Sequence, residues 1–306
     1  MAQLPSAPTA AERDEALAIL AATLGTTSPA LRDATVERLA SVSNRNLRVA
    51  HAGAAYVVRL PGPAPFVNRA VEERNARAAQ ALGIGPAILR FEAASGVMVT
   101  RAVPRARALT PDALRDPAVL RRVAAALRAL HAGAGFAGRL DPAEKIALYA
   151  RGLQCTAGPA AAGALALVPA GLALAAAAAA EGTLAPCHND PVPSNLLDDG
   201  SSVTLVDWEY AGFNDPLWDL AYLAVEGGLD GPAEEALVAA YGAQGSRTRF
   251  ARQKTLCLVV SGLWATLTVL QAGAASELAA YAADRLARAG AMLESPPRIA
   301  TRRGSP

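Results

Sequence analysis

The stretch CHNDPVPSNLLDDGSSVTLVDWEYAGFNDPLWDLA, residues 187–221, decides the fold. Pro191 and Pro193 lack a main-chain N–H and fix φ, so a loop and not a regular helix is expected there. Two apolar runs, NLL (195–197) and VTLVD (203–207), flank Asp198-Asp199-Gly200-Ser201 and predict a β hairpin. A turn centred near residues 199–202 sets Asn195 opposite Asp207, where facing Cβ atoms are about 5 Å apart. An amide oxygen and a carboxylate so placed are hard oxygen donors suited to Mg²⁺. Asp190, on the proline-stiffened loop just before, is a second carboxylate outside any regular element and can take a proton from a hydroxyl.

Upstream, the texture is β-rich. NLRVA (46–50) and AYVVRL (55–60) predict a hairpin through His51-Ala52-Gly53-Ala54. Residues 68–82 read as a helix closed by Gly83, and ILRF (88–91) and GVMVT (96–100) as two more strands. Before them, Thr9 and Glu12 form a capping box for a helix over 9–24, and Ser28 opens a second short helix to about Leu39. After about residue 104 the pattern is helical: 114–132, 143–153, part of an Ala-rich tract, and again from Leu217 onward, with fraying after Pro296. Two parts are expected: 1–102, with leading helices, an antiparallel sheet and one inserted helix, and 103–306, mainly helical.

Composition narrows the function. The chain has 306 residues, 52% apolar and 18% charged, which supports a sizeable core and excludes general disorder. Lys+Arg minus Asp+Glu is 29 − 27 = +2, too balanced for a nucleic-acid binder. The only lysines are Lys145 and Lys254, so any lysine-dependent mechanism must use one of them. Cys155, Cys187 and Cys257 have no metal-ligand spacing and fit a reducing cytoplasm. The N-terminal residues carry early acids and no apolar core, unlike a secretory signal. Residues 152–180 and 255–276 contain no charged side chain and are long enough for ~30 Å of hydrocarbon. The first is mostly Ala with Pro159 and Pro169. The second holds Ser261, Thr266, Thr268 and Gln271 and reads as a buried helix of a soluble domain. No membrane span is expected.

Base, amide and carboxylate in this order, below a β-rich segment, match a phosphoryl-transfer site. CHNDPVPSNLL followed by LVDWEYAGFNDPLWDLA resembles the choline/ethanolamine kinase branch of the aminoglycoside phosphotransferase superfamily. SNRNLRV, YVVRLPG, NRAVEERNARAAQALGI, LHAGAGF and GLWATLTVLQAG resemble family blocks in the expected order, from about residue 36 to 290. The resemblance implies an α+β, two-lobed protein-kinase-like fold with a small β-rich N-terminal lobe and a larger helical C-terminal lobe. It implies ATP-dependent transfer of the γ-phosphate to a hydroxyl of a small cationic alcohol. Asp190 would be the catalytic base, and Asn195 and Asp207 would hold Mg²⁺ against the ATP phosphates. Arg59, paired with Glu72, would stand where protein kinases put their phosphate-binding lysine. Ser43 and Asn44 would lie in the loop over the phosphates, and the backbone of Thr100, Arg101 and Ala102 would bind adenine. Glu226, Trp264 and Tyr281 would line the acceptor pocket, with plain core packing the alternative for Trp264. His188 and Asp219 would brace the catalytic loop, and His131 would pack or cap a helix.

Two departures stand out. Family members often carry Gly-Gly in the phosphate loop, where this chain has Ala40 and Ser41. A second pocket Trp is often found one turn after the first, where Leu267 or Thr268 stands here. The competing readings are an aminoglycoside phosphotransferase, with Glu209, Asp215, Glu226, Asp230, Glu234 and Glu235 as candidate cleft acids, and a nucleotide-binding pseudokinase.

Overall fold

Helix α1 (Ala10–Leu24) starts where the capping box predicts: the Thr9 hydroxyl accepts from the Glu12 N–H at 3.2 Å, and Glu12 accepts from the Thr9 N–H at 3.0 Å. The computed structural model describes residues 7–39, 44–60, 62, 67–273 and 276–294. The helix expected from Ser28 to Leu39 is a single 3₁₀ turn, Ser28–Leu31, followed by strand β1 (Thr35–Leu39). Its five residues all pair with β2 (Arg45–His51), and those ladder bonds override the weak helical signal. Strand β2 turns at Ala52 and Gly53, both at positive φ (48° and 77°), as a two-residue hairpin turn requires, and returns as β3 (Ala54–Leu60). Helix α2 (Arg69–Ala81), capped by Asn68, then β4 (Ile88–Phe91) and β5 (Met98–Arg101) complete a five-stranded antiparallel sheet of order β1-β2-β3-β5-β4. One face of this sheet offers Leu47, Val49, Tyr56, Val58 and Val99 to Leu17, Leu20 and Ala21 of α1, forming a core of its own.

A short strand β6 (Arg107–Ala108) leads to α3 (Pro117–His131), α4 (Pro142–Gln154), α5 (Pro159–Ala166) and α6 (Val168–Glu181). Three short strands then frame the loop: β7 (Ala185–Cys187), β8 (Leu196–Asp198) and β9 (Val203–Leu205). Strand β10 (Gly212–Asn214) precedes α7 (Pro216–Glu226), α8 (Gly231–Tyr241), α9 (Arg247–Ala272) and α10 (Ser276–Glu294). A second core joins α3, α7 and α9, with Trp218, Leu127 and Leu258 fully buried. Most of the apolar stretch of α9 lies inside the protein, and Phe250 to Thr266 is largely sealed, as expected for a core helix. The Ala-rich stretch 159–181 is apolar enough to pass for a span but is mostly exposed.

The predicted hairpin is present with its register one residue from that expected. Asp198 pairs with Val203 and Leu196 with Leu205, and the Val206 N–H bonds the Asn195 carbonyl at 3.0 Å. Asn195 therefore faces Val206 and not Asp207. A one-residue slip would turn the Asp207 side chain to the opposite face. Asp207 instead adopts φ 69°, a left-handed conformation that Asp tolerates better than most residues, and this breaks the alternation.

Candidate active site

Two ladders hold the loop. β7 pairs with β10 (Cys187 with Gly212) and β8 pairs with β9, so residues 188–195 and 206–211 run as facing segments between them. Gly212 permits the approach of the neighbouring chain, since a Cβ there would lie 2.9 Å from the Arg139 nitrogen. The loop is clamped from below by Asp219, near the start of α7. Its two carboxylate oxygens accept the N–H groups of His188 and Asn189, each at 2.8 Å, as the bracing role predicts. His131 packs edge-on against the Tyr241 ring, with centroids 5.5 Å apart. Its Nε2 meets Asp219 Oδ2 at 3.0 Å and its Nδ1 meets the Tyr241 hydroxyl at 2.8 Å. His188 bonds the Val206 carbonyl through Nε2 at 2.9 Å, tying the two facing segments together. Asn189, invisible as the middle of H-x-D, is a hub at φ 67°. Its side chain donates to the Tyr210 carbonyl (2.9 Å) and accepts from Asn214 (3.0 Å), and its carbonyl accepts from the Trp218 indole (3.1 Å).

Asp190 emerges half-buried from this frame. Burial pushes its carboxyl well above the usual range, and the Asp207 charge adds to that, while the Tyr222 hydroxyl pulls the other way. The Asn195 side-chain amide donates to the Asp190 carbonyl at 3.0 Å, which leaves its oxygen as the group available to a cation. Burial and then the Glu209 charge raise Asp207 to about 7, with Arg59 and Arg69 opposing. Asp207 Oδ1 is buried without a hydrogen-bond partner among the described residues. An orphaned carboxylate oxygen, crowded acids and an all-oxygen donor set fit a hard divalent cation such as Mg²⁺.

On the sheet side, Arg59 and Glu72 form the expected pair, both almost fully buried. Arg59 also sends Nε (3.2 Å) and Nη2 (3.0 Å) to the Gly96 carbonyl, which fixes its fork. Arg69, which sequence reasoning passed over, bonds Glu72 at 2.7 Å and lies 3.4 Å from Glu209. Asn44 is buried and donates to Glu209 at 3.3 Å, while Ser43 lies outside the described residues. Glu209, read from sequence only as a cleft acid, thus stands between the sheet and Asp207. At the edge expected to bind adenine, the Arg101 N–H bonds the Ala87 carbonyl (2.8 Å) and the Ala102 N–H bonds the Ala55 carbonyl (3.0 Å). Both donors are committed to the protein. The Thr100 side of the strand is buried.

On the other side, Tyr222 stacks on Trp218 at 6.1 Å, and the Asp190 and Glu226 charges both act on its hydroxyl. Tyr281 donates to Glu226 at 2.8 Å, so two of the three expected acceptor residues meet. Trp264 is half-buried on α9 and makes no ring contact with Tyr281 among the described residues. Of the other suggested cleft acids, Asp215 caps α7 and pairs with Arg249, and Asp230 caps α8 and pairs with Arg115. Glu234 pairs with Lys254 and Glu235 with Arg247. Those four carboxylates are engaged elsewhere, which does not favour an aminoglycoside cleft. Lys254 holds Glu234, and Lys145 lies over the ring of Tyr210, the residue after Glu209, at 5.6 Å.

The chain is similar to several known proteins. A choline/ethanolamine kinase family protein from Mesorhizobium loti is 34% identical, with 93% of this chain and 95% of that one covered at a TM-score of 0.81. The choline kinase LicA from Streptococcus pneumoniae is 24% identical, covering 92% of this chain and 99% of its own at a TM-score of 0.77. Protein LicA of Haemophilus influenzae is 28% identical over 275 residues, 84% of this chain and the whole of that protein. Residues 35–254 match the family model described as the phosphotransferase enzyme family. That match takes in the sheet, the clamped loop and the acids after the hairpin, and the chain belongs to the phosphotransferase enzyme family, in its choline/ethanolamine kinase branch.

Proposed function

We propose that this protein is an ATP-dependent kinase of small amino alcohols, passing the γ-phosphate to a hydroxyl on a molecule of the choline or ethanolamine type. One observation carries the reading: the charges of Asp207 and of Glu226 both act on Asp190. This supports a grouping of a cation-binding carboxylate, a base and an ammonium-seeking carboxylate in the order the transfer needs.

The acceptor hydroxyl donates to the Asp190 carboxylate, which orients it and takes its proton as the new P–O bond forms. The raised proton affinity of Asp190 suits that task. Asn195, Asp207 and the neighbouring Glu209 are the residues for Mg²⁺, which when bound supplies positive charge against the phosphate oxygens. Arg59, held by Glu72 and Gly96, contributes a fixed cation beside Asp207. With the Arg101 and Ala102 N–H groups committed, the first main-chain donor left for adenine is Val103, whose N–H has no partner among the described residues. The residues up to about 102 make the nucleotide lobe and the rest the acceptor lobe. Three free thiols, Cys155 among them exposed, support a cytoplasmic setting.

The test is ADP release from MgATP with a panel of choline, ethanolamine and kanamycin. Turnover with an amino alcohol and none with kanamycin is expected. Turnover with kanamycin alone would overturn the amino-alcohol reading, and nucleotide binding without turnover on any alcohol would favour a pseudokinase.

A further inference from the structure

The subsite built by Glu226 and Tyr281 already contains a cation. Arg285, one turn after Tyr281 on α10, places its guanidinium 4.4 Å from the centre of the Tyr281 ring. Its Nη2 lies 3.2 Å from Glu226 Oε1, the same oxygen that accepts the Tyr281 hydroxyl. The side chain is 9% exposed, and its Nη1 bonds Asp284 at 2.8 Å. Its Nε is buried with no partner among the described residues. Gly262 of α9 allows this seating, because a Cβ there would meet Leu286 Cδ2 at 2.8 Å and Arg285 Cβ at 3.3 Å. One face of the Tyr281 ring and one carboxylate oxygen are therefore occupied by the protein's own positive charge.

That arrangement treats two kinds of ammonium differently. A quaternary ammonium has no N–H and depends on aromatic faces and on unshared negative charge. Here Arg285 lies over the Tyr281 ring, and a fixed cation stands where the ligand charge would settle. A primary ammonium carries three donors and can bind by a directional, charge-assisted hydrogen bond. Glu226 Oε2, which has no hydrogen-bond partner among the described residues, is suited to receive it.

We propose that Arg285 determines acceptor specificity, turning the Glu226–Tyr281 subsite toward primary-ammonium alcohols of the ethanolamine class and away from quaternary ones such as choline. The proposal rests on the amino-alcohol reading of the site. It is tested by measuring kcat/KM for ethanolamine and for choline, with calorimetric binding of each, in the wild type and in Arg285→Met, Arg285→Gln and Arg285→Lys. The wild type should favour ethanolamine by at least about tenfold, the scale of a lost cation–π contact. The Met and Gln variants should raise choline kcat/KM about tenfold and tighten choline binding in parallel. The Lys variant keeps the charge and should keep the preference, which a role in packing alone would not predict. Should the Met variant fail to fold, Gln and Lys carry the same comparison. A wild type that turns over choline as well as ethanolamine, or a ratio indifferent to Arg285, overturns the proposal alone. A wild type that binds nucleotide yet neither binds nor phosphorylates either alcohol overturns the amino-alcohol reading, and this proposal with it.

Discussion

The side-chain amide of Asn195 donates to the main-chain carbonyl of Asp190 at 3.0 Å, so the residue assigned to the cation also fixes the backbone of the base. Replacing Asn195 by Ala removes both functions. Its kcat should fall on the order of 10–100-fold, with half-saturation shifted to higher Mg²⁺. Asn195→Asp keeps an oxygen donor and should recover part of the metal response. Steady-state rates against Mg²⁺ at fixed ATP read both effects, and an unchanged Mg²⁺ profile in Asn195→Ala would remove that residue from the cation site.

Asp219 should matter more to folding than to chemistry. Asp219→Ala leaves the N–H groups of His188 and Asn189 without an acceptor in a sealed environment. Each orphaned donor costs about 1–3 kcal/mol, so a loss of about 3 kcal/mol or more is expected in urea unfolding. Asp219→Asn retains one acceptor oxygen and should lose less. Equal stability of the Ala variant and the wild type would show that the clamp is dispensable.

Arg59 tests the nucleotide side. Arg59→Met strands a buried Glu72, a defect worth about 3–5 kcal/mol when no other cation is near. Arg69 already bonds Glu72 at 2.7 Å, so the lower end is expected. Arg59→Lys retains charge but cannot hold both Gly96 and Glu72 with a planar fork, and should raise KM for ATP about tenfold. A Lys variant with wild-type KM would mean that charge alone suffices.

Asp207 predicts a pH signature in the metal-free protein. Its carboxyl is raised from 3.8 to about 7, by burial first and the Glu209 charge second. The folded state therefore binds that proton more tightly than the unfolded chain does. The stability this confers is complete below the unfolded value and is lost as pH rises through the folded one. Tm in chelator should decline across that interval, and Asp207→Asn, which cannot ionise, should flatten that part of the decline. Mg²⁺ with nucleotide should raise Tm more at about pH 8 than at about pH 6, since cation binding needs the carboxylate. A slope identical in the Asn variant would assign it to other groups.

Local punctuation made much of this site readable in advance. Prolines at 191 and 193 forced the loop, Asp199-Gly200 forced the turn, and the residue order Asp190, Asn195, Asp207 suggested the chemistry proposed here. A turn over 199–202 pairs Asp198 with Val203 and so sets Asn195 opposite Val206, one residue short of Asp207, which lies beyond the ladder at a left-handed φ that alternation cannot reveal. Strand β1 was misread because TVERL, with charges on an edge strand, carries little β signal until β2 pairs with it. Asn189, Arg69 and Glu209 act through tertiary contacts made across 21 to 165 residues, beyond any local pattern. The seat of Arg285 over the Tyr281 ring and beside Glu226 is likewise a tertiary contact that no local pattern reveals.

The central claim, that Asp190 receives the proton of an amino-alcohol hydroxyl during phosphoryl transfer, is tested most directly by single-turnover transfer from labelled ATP to ethanolamine. Wild type and Asp190→Ala are compared, with MgATP affinity measured on the same samples. The account predicts a labelled phosphomonoester from the wild type, and from the variant no product but near-normal nucleotide affinity. Equal product formation by the two proteins would contradict it.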